Sequence, residues 1–219
     1  MTSAVLVHGL YHVPEHFAAV ADRLRARGVE VAVPQLHRGS LEADTEAVQA
    51  AVDAMRAPPV VLGHSYGGSV ITGLTGAAHL VYVAAFVPDA GESAAALGGT
   101  TDLLRAAVRP DDGGATHIDP ALAADLFYRD CTAEVTARAI DLLRRQLPGC
   151  GRGVPRRQAW RDTRSTYVVC ARDEALDPAV QRAMARRCGD TVTWQTSHSP
   201  FLSRPDLFAT LQPVSREPR

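Results

Sequence analysis

The chain has no lysine: all 23 of its basic residues are arginine. That removes imine formation and lysine acid–base chemistry from the mechanisms open to it. It also lacks an excess of charge of either sign, with a formal net charge of −1, so neither nucleic acid nor an anionic membrane is indicated as a partner. No apolar run approaches the length of a membrane span,. The first residues show neither a basic segment nor a small-residue cleavage site,. Cysteine is sparse. Cys131, Cys150, Cys170 and Cys188 form no C-x-x-C pair and no metal-ligand spacing, and Cys170 falls inside an apolar strand pattern, where it reads as core,. These absences predict a cytoplasmic protein with reduced thiols.

What is present is an alternation of strand and helix patterns. At 219 residues the chain has the volume for one domain, residues 1–219, with a three-layer core,. Strands are expected over Ala4–His8, Val29–Val33, the run ending before Ser65, Leu80–Ala85, Ser165–Cys170 and Thr191–Gln195. Helical spacing covers about Glu15–Arg27, Leu41–Arg56, the stretch after Ser65 to about Gly76, Pro178–Arg187 and Pro205–Leu211,. The strands are apolar runs without alternation, as in a mostly parallel sheet with helices on both faces. Between about residues 88 and 161 this rhythm breaks. Glycine-rich joints there flank helical patterns at about Pro120–Tyr128 and Ala133–Gln146, which predicts a helical cap inserted after the fourth strand,.

Residues 60–68 read Val-Val-Leu-Gly-His-Ser-Tyr-Gly-Gly, an apolar run ending in G-x-S-x-G. A strand, a turn too tight for side chains and a following helix form the context in which a serine is presented as a nucleophile. Ser65 is that serine. A serine hydroxyl needs a base, and the base needs an orienting group. Of eight histidines, only His117 and His198 follow Ser65 at a distance, and His117 lies in the insertion. His198 sits just past the last strand, where a base belongs. Asp173 and Asp177 both follow the preceding strand. Asp177 stands before Pro178 and a helical pattern and is explained as an N-cap; Asp173 is the favoured acid, with Glu174 a third candidate. A tetrahedral intermediate needs two backbone donors. The N–H groups of Tyr66, after the nucleophile, and of Leu10, in the loop after the first strand, are the candidates. Tyr11, His12, Phe86, Phe127 and Trp160 are candidate pocket walls, and core packing explains each of them equally well.

With these residues in place, the chain resembles the α/β-hydrolase superfamily, and within it the small plant methylesterases and hydroxynitrile lyases with their bacterial esterase relatives. The likeness covers nearly the whole chain. It rests on Val-Leu-Val-His-Gly near the start, Gly-His-Ser-Tyr-Gly-Gly at 63–68, Tyr-Val-Ala-Ala-Phe-Val-Pro at 82–88, Leu-Phe-Tyr-Arg-Asp-Cys at 126–131, Tyr-Val-Val-Cys-Ala-Arg-Asp at 167–173 and Ser-His-Ser-Pro-Phe-Leu-Ser-Arg-Pro at 197–205. The resemblance places the acid at Asp173. The cyanogenic lyases have a Thr where this chain has Gly9 and a Lys after the catalytic His, where this chain has Ser199.

The resemblance implies a carboxylesterase-like serine hydrolase acting through an acyl-enzyme on a small, partly apolar ester, with no metal and no cofactor. A cofactor-free lyase of the hydroxynitrile lyase type and a weakly catalytic small-molecule binding protein are the alternatives. The oligomeric state is not indicated by the sequence.

Overall fold

An unbroken apolar strand is stable only when both faces of its sheet are covered. The computed structural model, which describes residues 3–210, shows how this chain covers them. In chain order the strands are β1 (Ser3–Val7), β2 (Glu30–Ala32), β3 (Val60–His64), β4 (His79–Val83), β5 (Val108–Pro110), β6 (Thr116–Ile118), β7 (Ser165–Cys170) and β8 (Asp190–Trp194). The helices are α1 (Ala18–Arg25), α2 (Leu41–Asp53), α3 (Gly67–Thr72), α4 (Ala94–Leu97), α5 (Asp102–Ala107), α6 (Pro120–Phe127), α7 (Ala133–Asp141), α8 (Pro178–Ala185) and α9 (Pro200–Ser203). Six strands form one sheet in the order β2-β1-β3-β4-β7-β8, and every pairing in it is parallel.

Side chains alternate along a strand, so each apolar run divides between two cores. Val5, Val7, Val61, Tyr82, Tyr167 and Val169 face one side, where α2, α3 and α8 contribute Val48, Val52, Val70, Ile71 and Met184. Ala4, Leu6, Leu62, Val81, Val83 and Val168 face the other, covered by Val20 and Leu24 of α1, Phe201 of α9 and Phe208. Ser40 starts α2 by accepting the Ala43 N–H at 3.1 Å, and Asp177 starts α8 by accepting that of Ala179 at 2.7 Å. The cap predicted for Asp177 is present. Among the described residues no helix is long and apolar enough to cross a membrane.

Most helices fall short of the sequence pattern: α1 covers only Ala18–Arg25 of the expected Glu15–Arg27, α7 ends at Asp141 rather than Gln146, and α8 at Ala185 rather than Arg187. The α2 helix ends at Asp53 rather than Arg56, and α3 stops at Thr72, before Gly73. The segment Pro205–Thr210 is a 3-10 helix, not an α-helix, and Leu211 lies outside the described residues. The stretch between β4 and β7 holds α4 to α7 and an antiparallel pair, β5 with β6, that was not foreseen. Strands of three residues give too little alternation to be recognised from sequence. This insertion has its own apolar cluster, built on Ala107, Ile118, Leu126, Phe127 and Tyr128.

Because all six strands run the same way, their carboxyl ends share one edge, and the loops after β1, β3, β7 and β8 gather there,. At that edge β3 passes directly into α3 through Ser65, whose φ of 54° lies in the left-handed region. An ordinary residue is strained there. The strain is held by hydrogen bonds from Ser65 N–H to Val83 O (3.2 Å) and from Phe86 N–H to Ser65 O (3.1 Å). The turn leaves no space at Gly63, where a Cβ would sit 2.6 Å from the Gly67 carbonyl oxygen.

Gly63→Ala is therefore expected to destabilise the protein by about 1–3 kcal/mol, a fall of roughly 2–12 °C in Tm. Gly151→Ala, at a site with open space around a Cβ, should leave Tm unchanged. Thermal unfolding of the two variants followed by circular dichroism checks the contrast, and equal melting temperatures would refute it.

Candidate active site

Ser65 lies at the floor of a cavity of about 220 Å³ that His198, Leu10, Tyr66, Phe86 and Phe127 also line. His198 stands in the loop between β8 and α9, only 3% exposed, and Asp173 in the loop after β7, 4% exposed. Asp173 Oδ2 is 2.7 Å from His198 Nδ1. That bond leaves Nε2 as the ring nitrogen not committed to the carboxylate. The Asp173 carboxylate is met by three further donors: the N–H groups of Ala175 (2.7 Å) and Leu176 (3.0 Å) on Oδ1, and Gln181 Nε2 (2.8 Å) on Oδ2. The Gln181 amide is itself fixed, since its oxygen accepts from Cys170 N–H at 2.9 Å and its nitrogen also donates to Leu176 O at 2.8 Å. Sequence reading missed Gln181. The signal was a polar side chain on the inward stripe of α8, beside Val180 and Met184.

Two amides border the same cavity without an acceptor among the described residues, those of Leu10 and Tyr66. Each is held in place by a side chain elsewhere. The Tyr66 phenol donates to Asp44 Oδ2 at 2.8 Å, and Asp44 Oδ1 accepts the Arg38 N–H at 2.9 Å. Burial first, and the Asp44 charge second, push the Tyr66 phenol pKa up, so it stays a donor. Leu36 N–H donates to His8 Nε2 (3.2 Å), which puts the His8 proton on Nδ1, and Nδ1 donates to Gly9 O (2.9 Å). Gly9 O and Leu10 N–H belong to one peptide plane. His8 thus orients the Leu10 amide.

Of the candidate walls, the structure places Tyr11, Phe86 and Phe127 against the cavity and His12 and Trp160 away from it. His12 is buried behind the wall. Its Nδ1 donates to Leu10 O at 2.9 Å and its Nε2 accepts from Tyr128 OH at 3.1 Å, so the ring is a bonding element and not a lining one. Trp160 turns away, donating Nε1–H to Pro88 O at 3.1 Å and packing beside the core of the α2, α3 and α8 face. His64, before Ser65, donates Nε2–H to the His198 carbonyl at 2.9 Å.

A family model described as the alpha/beta hydrolase family matches residues 4–211. The chain belongs to that family. Alpha/beta hydrolase nvfD of Aspergillus novofumigatus is 30% identical over 94% of this chain and 93% of its own length. A carbendazim hydrolyzing esterase of a Nocardioides strain is 36% identical over a shorter stretch, 44% of this chain and 47% of that protein. A pyrethroid hydrolase from Sphingobium faniae shares the fold with a TM-score of 0.83, at 23% identity over 95% of this chain and 94% of that one. A methylesterase from Arabidopsis shares it at 0.79, with 18% identity over 96% and 97%.

The histidines carry a consequence for stability. Burial, the largest cause in each case, lowers the pKa of His8 to about 3 and that of His12, His16 and His64 below the usual value. These rings fold neutral, whereas in the unfolded chain they take up protons near pH 6.5. Their contribution is complete above that value and is lost as pH falls below about 6.5, for His8 down to about 3, by about 1.4 kcal/mol per pH unit for each ring that stays neutral in the fold,. The Tm is expected to fall steeply between pH 6.5 and 5 and to be flat from 7 to 8. Calorimetry across that range checks it, and a Tm constant down to pH 5 would contradict it.

Proposed function

We propose that this protein is a serine esterase that cleaves a carboxylic ester of a small, partly apolar molecule through an acyl-enzyme. The observation that carries this reading is the 2.7 Å contact between His198 and the buried Asp173, with the imidazole and Ser65 on the wall of one largely apolar cavity. Ser65 Oγ attacks the ester carbonyl. His198 Nε2 takes the hydroxyl proton and delivers it to the departing alcohol, and then activates the water that releases the acid. Asp173 keeps the other imidazole proton on Nδ1. Ser65 and His198 are not hydrogen-bonded to each other in this structure; such contacts commonly close only with substrate bound. The Leu10 and Tyr66 amides hold the oxyanion, a contribution of about 3 kcal/mol for each donor. The insertion serves as the cap, with Ala94, Ala95, Thr100 and Leu104 facing the acyl or alcohol portion. The names of the carbendazim hydrolyzing esterase and of the methylesterase support ester chemistry as the reaction class.

Steric detail disfavours the lyase alternative. A Cβ on Gly9 would stand 2.9 Å from Ser65 Cβ and 3.1 Å from His64 Nδ1, so this loop has no room for the threonine the lyases use. Ser199 follows His198 and is buried, and without lysine no ammonium is available to meet a departing cyanide.

A fluorophosphonate probe should therefore label Ser65, found by mass spectrometry on the peptide that contains it, and Ser65→Ala should abolish both labelling and ester turnover. A label elsewhere would refute the mechanism. Asp173→Asn is expected to lower kcat by about 10³- to 10⁴-fold through the wrong imidazole tautomer. Asp177→Ala should cost about 1 kcal/mol of stability and keep most of the activity; the reverse pattern would move the acid to Asp177. Given mandelonitrile and a nitrophenyl ester side by side, the enzyme should release alcohol faster than cyanide, and the opposite ranking would favour the lyase.

A further inference from the structure

The stretch Leu-Phe-Tyr-Arg-Asp-Cys at 126–131 does more than supply Phe127 to the cavity wall. It ends α6 and leads out of it, and four consecutive side chains reach the loops that hold the site. The Phe127 ring stacks on the His198 imidazole, with centroids 5.5 Å apart and planes at 29°. Tyr128 OH donates to His12, which in turn holds the Leu10 carbonyl. Arg129 pairs with Glu174, next to Asp173, at 2.8 Å. Asp130 accepts both donors of Ser197, the residue before His198: its N–H at 2.9 Å on one carboxylate oxygen and its hydroxyl on the other.

We propose that Asp130 is a positioning residue for His198, acting through Ser197, so that the insertion fixes the base as well as covering it. The inference rests on the esterase reading above for the role of His198. Asp173 holds the imidazole at one nitrogen, about which the ring can still swing. The backbone on either side of Ser197 is pinned through carbonyls, Thr196 O by Arg172 N–H at 3.0 Å and His198 O by His64 at 2.9 Å, while the Ser197 N–H and hydroxyl between them, on a residue 1% exposed, are met by Asp130. The two bonds to one carboxylate are charge-assisted and fix both distance and orientation. A displacement of about 1 Å at a catalytic group is enough to cost roughly 100-fold in rate.

Asp130→Ala is expected to lower kcat for a nitrophenyl ester by about 10- to 100-fold with KM within about threefold. Asp130→Asn should recover all but a few-fold of that loss. Its amide oxygen can accept the Ser197 N–H, and the Ser197 hydroxyl can turn to Phe127 O, already 3.3 Å away. The second readout needs no turnover: the low-field proton resonance of the His198–Asp173 hydrogen bond should be sharp in the wild type and Asp130→Asn, and shifted or broadened in Asp130→Ala. Wild-type kcat and an unchanged resonance in Asp130→Ala would overturn the proposal, even with a lowered Tm. So would an Asp130→Asn variant as impaired as the alanine variant, which would make charge and not geometry the cause. If Asp130→Ala does not fold, Ser197→Ala decides, since a kcat reduced at least threefold at constant KM supports positioning and a full kcat with an unchanged resonance overturns it. A wild-type protein that neither turns over esters nor takes the fluorophosphonate would sink the esterase reading, while the resonance comparison would still test Asp130.

Discussion

A carboxylate removed from water must be met by donors or it will not remain charged. Asp173 is such a group, and the donors it collects come from separate parts of the chain. Its own loop supplies the Ala175 and Leu176 amides, α8 supplies Gln181, and the loop after β8 supplies His198. The requirement to satisfy one buried charge therefore ties the end of β7, a helix on one face of the sheet and the segment leading to α9. Gln181 closes the arrangement because both ends of its amide are committed, one to the β7 backbone and one to the carboxylate. Replacing that glutamine by an apolar residue of similar size would leave a carboxylate oxygen and a strand N–H without these partners.

The other half of the site is backbone, and it is oriented by residues that never reach the cavity. Ser65 is held at a strained φ by bonds from its own peptide groups to β4 and the residues after it. The Tyr66 amide is set by a phenol anchored on Asp44 of α2, and the Leu10 amide by His8, with His12 holding the carbonyl of the next peptide. Neutral histidine suits this work. With one nitrogen donating and the other accepting, a ring can bridge two backbone groups without bringing charge into the interior. His8 bridges Leu36 and Gly9 in this way, and His16 bridges Val13 and Ala139 of the insertion.

Much of this was legible in the sequence because it is written in local pattern. The apolar runs marked the sheet strands, Gly63 and Gly67 framed the turn at Ser65, and Asp177 before Pro178 read as a cap. Position after the last two strands pointed to His198 and left Asp173, Asp177 and Glu174 as acids, of which Asp177 was explained as a cap. What escaped depends on neighbours distant in the chain. For His12 the sequence left pocket wall and core equally open, and it is Tyr128, 116 residues away, that makes it a bridging ring. Trp160 looked like a lining aromatic until its indole found the Pro88 carbonyl. The β5–β6 pair was too short to show a period, and the contacts of Asp130 with Ser197 span 67 residues.

The central claim is that Ser65, His198, Asp173 and the two free amides act as one acyl-transfer site. A crystal structure of the protein after reaction with a small alkyl fluorophosphonate tests it most directly. The account predicts phosphorus bonded to Ser65 Oγ, one phosphonyl oxygen within hydrogen-bond distance of both the Leu10 and Tyr66 amides, and the His198–Asp173 contact intact. An adduct whose phosphonyl oxygen points away from both amides, or a His198 ring turned from Asp173, would contradict it.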